Sequence, residues 1–114
     1  MIEDLIKRSF KARNTAHSNH WTTKSFAQHK ALGNFYDDLI TVLDKYVEAY
    51  QGMFGQLEDS PEQVDNIANF IVQEMLWLTT NREKVCRGVP ALENIFDEMV
   101  AVYMKTLYKI ENLR

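Results

Sequence analysis

Apolar residues recur at intervals of three and four along almost the whole chain, which is the period of an amphipathic α-helix and not the alternation of a strand. In the first stretch Ile2, Leu5, Ile6, Phe10 and Ala16 keep this spacing and predict a helix from about Ile2 to about Thr22. The run Thr22-Thr23-Lys24-Ser25 ends it, because neighbouring β-branched residues lose rotamer freedom against the preceding turn. Ser25 and Gln28 make a capping box, so a second helix starts at Phe26. Its stripe is Leu32, Tyr36, Leu39, Leu43, Val47 and Tyr50, and it should end near Gly52. Gly33 sits inside it, where a glycine costs roughly 1 kcal/mol relative to alanine. A closely packed neighbouring helix is one physical reason to keep it.

Ser60 as N-cap, Pro61 in the first turn and Gln63 as the partner of Ser60 predict a third helix from about Pro61. Val64, Ile67, Ala68, Ile71, Met75 and Leu78 form its stripe, and Arg82, Lys84 and Arg87 near its end suit the helix dipole. Gly88 reads as the C-cap, and Pro90 blocks continuation. A fourth helix from about Ala91 to Leu113 would turn Leu92, Ile95, Phe96, Met99, Val102, Tyr103, Leu107 and Ile110 inward. No strand pattern or internal repeat appears. Four helices joined by short connections predict an all-α four-helix bundle, with all 114 residues in one domain.

The balance of 46 % hydrophobic and 25 % charged residues is that of a soluble globular protein. The net charge of −3 lacks the basic excess of a phosphate-neutralising protein, and Lys7, Arg8, Lys11 and Arg13 read as a solvated helix face. Nucleic acid is therefore not an expected partner. No apolar run approaches the roughly eighteen residues of a membrane span. The N-terminus, charged from its third residue, has no signal-peptide core. The lone Cys86 suits a reducing compartment and reads as a small core residue, so the expected address is cytoplasmic.

Against this helical background one stretch carries chemistry. All three histidines, His17, His20 and His29, fall within thirteen residues, and Asp44 and Glu48 follow at helical i, i+4 spacing. Each of these side chains can ligate iron or zinc. His17 and His20 share one helix face, as do Asp44 and Glu48. From His29 to Asp44 is about 22 Å along a helix, while ligand distances are about 2 Å, so no single ion reaches both ends. Two copies packed antiparallel would bring the histidine end of one to the carboxylate end of the other, twice, by two-fold symmetry.

His20-Trp21, His29 and Asp44-x-x-x-Glu48 resemble the ferroxidase signature of Dps-type mini-ferritins, within the ferritin-like superfamily. The closing segment from Ala91 to Leu113 resembles that family's last helix. Small ferritin-like proteins of bacteria and their phages are the nearest in character, and a phage origin would place the chain in the host cytoplasm. The resemblance implies a ferritin-like bundle with a shortened connection between its second and third helices. It also implies a homodimer or higher oligomer that binds and sequesters iron, with ferroxidase activity, at sites shared between subunits. Nitrogen ligands would come from His29 and either His17, which lies at the family's twelve-residue interval, or His20, which has the tryptophan neighbour. Asp44 and Glu48 of a second subunit would supply oxygens, and Trp21 would lie near the iron.

Blander readings stand beside this one. Asp37-Asp38 is a solvated face, Trp21, Trp77 and the tyrosines read as core fillers, and Met75, Met99 and Met104 as core. The third and fourth helices lack the Glu-x-x-His element of an intrachain di-iron centre. Arg13 and His17 superficially resemble the pair used by some small helical ribonucleases. The alternative to an iron protein is a non-enzymatic oligomeric helical binding protein that keeps the ferritin-like fold without catalysis.

Overall fold

In the computed structural model, which describes residues 1–58, 62 and 64–113, the helical periodicity resolves into α1 (Ile2–Thr22), α2 (Phe26–Phe54), α3 (Ile67–Cys86) and α4 (Pro90–Asn112). No strand occurs among the described residues. Contacts divide the chain into two units, residues 1–63 and 64–114, and each contains one antiparallel helical hairpin.

The first unit begins with Glu3 and Asp4 in the opening turn of α1, where carboxylates complement the positive end of the dipole. The α1–α2 turn is three residues long. Thr23 is extended, and its N–H donates to the Asn19 carbonyl. Ser25 Oγ accepts from the Gln28 N–H at 3.2 Å, the predicted cap, and the Thr23 hydroxyl adds a bond to the Gln28 side chain. Ile2, Ile6 and Leu43 are buried together, with Phe10, Ile40, Val47, Tyr50 and Leu57 packed against them. Leu5, counted inward on the sequence, is exposed. Gly55, at a φ of 96° that favours glycine, ends α2 two residues beyond the expected stop.

The third helix starts later than its sequence signals suggested. Ser60, Pro61 and Gln63, the residues of the expected cap, lie outside the described residues. Val64 is exposed and non-helical, and α3 begins at Ile67. The cap is Asn66, whose Oδ1 accepts from the Asn69 N–H at 3.0 Å. Asparagine is as strong an N-cap as serine. The connection between α2 and α3 is accordingly twelve residues, 55–66.

In the second unit Leu78, Cys86 and Phe96 are buried, with Val100 and Tyr103 against them. Cys86 is the small core residue its sequence context implied. The reversal falls on Arg87 (φ 54°) and Gly88 (φ 75°) together, so Gly88 follows the cap position instead of holding it. Pro90 opens α4 in the first turn, where its missing N–H has no cost. Arg82 joins the two helices. Its guanidinium meets Asp97 through two bonds of 2.8 and 2.9 Å and Glu93 through one of 2.9 Å. That fork holds the Asp97 carboxyl below the usual carboxylate range.

Part of the predicted inward stripe of α4 faces out. Phe96, Val100 and Tyr103 make the hairpin seam, while Leu92, Ile95, Met99 and Val102 are exposed. On α2, Phe35, Val42 and Tyr46 are exposed as well. A helix apolar over so wide an arc offers more surface than one partner helix covers. Among the described residues no helix is long and apolar enough to cross a membrane.

Candidate histidine site

The three-residue α1–α2 turn brings the last turns of α1 beside the first turns of α2, and with them all three histidines. His20 Nδ1–H donates to the His29 carbonyl at 2.6 Å, and His29 Nδ1–H donates to the His20 carbonyl at 2.7 Å. The His20 carbonyl is one of the last four of α1, which have no acceptor role inside the helix. His29 thus serves as a side-chain cap for α1. The two rings stack at 3.7 Å between centroids with 17° between planes. Both are half-buried.

A carbonyl only accepts, so both Nδ1 atoms carry the proton. Each neutral ring then leaves a free lone pair on Nε2. This is the arrangement seen around metal-ligating histidines, where the second nitrogen is fixed by a backbone carbonyl. The near-parallel planes set a limit. Lone pairs lie in the ring planes, so two stacked rings cannot direct both Nε2 atoms at one ion. Each ring can hold only an ion of its own.

Gly33 explains itself here. A Cβ at this position would stand 3.1 Å from His20 Cε1 and 3.3 Å from Nδ1. The close neighbour anticipated for this glycine is therefore an imidazole of the adjacent helix.

His17 lies half-buried one turn before His20 and heads a second stack. It lies on Tyr36 at 4.0 Å with 18° between planes and against Trp21 at 4.3 Å. The Arg13 guanidinium sits 5.5 Å from the other ring of that stack, Tyr36, within cation–π range. Trp21 is no core filler: it is 70 % exposed. Tyr36 bridges both groups, with its ring edge-on to His20 at 5.5 Å. Sequence reading put Tyr36 in the core stripe and missed this role. Its position seven residues after His29, two helical turns along the same face, was the available signal.

Asp44 and Glu48 are not brought to the histidines. Both are exposed on α2, about 22 Å along the helix from His29 in the case of Asp44. Neither makes an ion pair among the described residues. Within the described residues no three His, Cys, Asp or Glu side chains form a group able to hold a metal ion. Within one copy, therefore, the imidazoles stand at the loop end of the hairpin and the two carboxylates stand apart from them along α2.

The fold and site together define an all-helical protein with a histidine-clasped hairpin. Within that class the chain belongs to a family of unknown function (DUF5856), whose model matches residues 20–110, a span that opens on His20. It is also similar to an uncharacterised 14.6 kDa protein from the mobD-ri intergenic region of Enterobacteria phage T4. The two are 26 % identical over 107 residues, covering 81 % of this chain and 73 % of that protein. No solved structure matches.

Proposed function

We propose that this chain is a Dps-like, metal-binding oligomer with a ferritin-like four-helix bundle, taking up iron at sites shared between copies. His20 and His29 of one copy supply nitrogen, and Asp44 and Glu48 of a second supply oxygen. The single observation that supports this reading is the reciprocal pair of Nδ1–H···O=C bonds, which orients both imidazoles and leaves both Nε2 atoms available as ligands. An imidazole and one or two carboxylate oxygens suit ferrous iron or zinc and leave positions open for an oxidant. His17, stacked on Tyr36, is the weaker ligand candidate, because among the described residues the carbonyl bonds that fix an imidazole belong to His20 and His29.

The test is anaerobic ferrous titration followed by peroxide, read by ferric absorbance. Imidazole ligates only in its neutral form, so loading should fall as the solution is acidified. Ferric product forming no faster than in protein-free buffer would exclude a ferroxidase.

A second reading has its own observation. The histidine pair already has a structural task, closing the hairpin, and apolar side chains of α2 and α4 face outward. Both suit a non-enzymatic oligomeric helical binding protein. Wild-type protein that loads no metal yet associates in solution supports this reading over the first.

A further inference from the structure

The net charge of −3 conceals a division of the chain by sign. From Leu5 to Tyr36 there are six lysines and arginines, three histidines and no aspartate or glutamate; all sixteen acidic residues lie outside that stretch. The fold doubles this segment back on itself, because it spans most of α1, the turn and the first turns of α2. The loop end of the first hairpin, where His17 and His20 lie against Tyr36 and His29, therefore carries Lys24 and Lys30 with Arg13 one turn before His17, and no carboxylate from residue 17 to residue 36. Lys24 and Lys30 are exposed, and neither makes an ion pair among the described residues, whereas Lys7, Arg8 and Lys11 lie toward the other end of α1, where Ile6 and Phe10 pack with Leu43 and Val47. In sequence this acid-free stretch is bounded by Asp4 on one side and by Asp37 and Asp38 on the other.

Two large rings flank the same turn. Trp21 is 70 % exposed and Phe26 78 % exposed, although a turn of three residues needs neither for its hydrogen bonds. Trp21 is also the outer member of a ladder. Arg13, Tyr36, His17 and Trp21 follow one another at 5.5, 4.0 and 4.3 Å. A ladder that ends on an exposed indole leaves a flat π-face for one more ring.

We infer that the loop end of the α1–α2 hairpin binds single-stranded nucleic acid, with bases stacking on Trp21 and Phe26 and phosphates on Lys24, Lys30 and Arg13. Stacking platforms set among cations bind single strands without needing base-edge recognition. A lipid surface fits less well, since the residues between the rings, Thr22, Thr23, Lys24 and Ser25, are polar and cannot enter hydrocarbon. A duplex fits less well, since its bases hide the faces that the two rings would use. This inference uses no metal and stands apart from the iron reading.

The experiment is fluorescence anisotropy with short labelled oligothymidylate and oligouridylate, run in EDTA so that metal loading plays no part. Matched arms use a duplex of equal length and vesicles of phosphatidylcholine with phosphatidylserine. Both single strands should bind, and with about three phosphates engaged log K should fall with log salt at a slope near −2. Trp21→Ala should weaken binding about tenfold, and Trp21→Phe should restore most of it, because the stacking face returns. Lys24→Glu with Lys30→Glu, two exposed positions, should weaken binding at least about tenfold and flatten the salt dependence. Circular dichroism would verify that each variant keeps its helices. Any of four results overturns the inference: no binding at low salt, a duplex bound as tightly as a single strand, binding to vesicles alone, or unchanged affinity in Trp21→Ala.

Discussion

Gly33→Ala probes the histidine clasp most sharply. The added methyl would lie 3.1 Å from His20 Cε1 and 3.3 Å from Nδ1. Carbon atoms settle at about 3.5–4.0 Å, so the ring must retreat by a few tenths of an ångström. It has little freedom to do so. One edge is tied to the His29 carbonyl at 2.6 Å, and one face lies on the His29 ring at 3.7 Å.

Two effects then oppose each other. Alanine in a helix interior is favoured over glycine by about 1 kcal/mol. Each neutral hydrogen bond lost costs about 0.5–1.5 kcal/mol, and the clasp contains two that share the same pair of rings. The cost exceeds the gain, so Gly33→Ala should destabilise the protein by about 0–2 kcal/mol. In a His20→Ala background the ring is gone, and the three atoms nearest the new methyl all belonged to it. There the same substitution should stabilise by about 1 kcal/mol. Urea unfolding followed by far-ultraviolet circular dichroism on the four proteins of this cycle gives the coupling directly. We expect about 1–3 kcal/mol. An equal gain from Gly33→Ala in both backgrounds would refute the clasp.

Asn66→Ala should cost about 1 kcal/mol by the same unfolding assay, since it removes the acceptor for the Asn69 N–H; no loss would mean that α3 is not capped there. His29→Ala and Asp44→Ala should each weaken ferrous binding about tenfold or more in an anaerobic titration while leaving helix content unchanged, and equal uptake by wild type and both variants would make these residues surface only. Asp97 is held low by Arg82, so its contribution is complete above the ordinary carboxylate range and is lost as pH falls through that range to the folded-state value. Asp97→Asn should therefore lower the melting temperature at neutral pH and flatten its decline below about pH 4; parallel acid limbs for the two proteins would contradict this.

The helices were largely legible in the sequence because their ends are local chemistry. Ser25 with Gln28 needs only three residues to act, and α2 starts where that pair places it. The third helix misled for the same reason. Ser60-Pro61 is a strong local signal, yet Asn66 offers an equally good cap six residues later, and local rules do not rank two good caps. Burial was less legible. Ile95 and Phe96 each keep helical spacing with Met99, but spacing does not say which arc of a broad apolar face meets the partner helix.

At the site, the clustering of His17, His20 and His29 was visible as proximity in sequence, and the fold does bring them together. The reciprocal carbonyl bonds were not visible, because they depend on the depth of a three-residue turn. Gly33 pointed to a close neighbour without saying that the neighbour was an imidazole. The basic hairpin end was hidden by the whole-chain charge, which averages two regions of opposite sign.

Complementation between two inactive variants tests the shared site most directly. One variant is His20→Ala with His29→Ala, and the other is Asp44→Ala with Glu48→Ala. Neither alone should load ferrous iron. If each site takes its nitrogens from one copy and its oxygens from another, unfolding and refolding the two together rebuilds one intact site in every mixed dimer. Random pairing then restores roughly a quarter of wild-type iron binding for a two-fold assembly. Binding that stays at the level of the separate variants after mixing would contradict a site shared between copies.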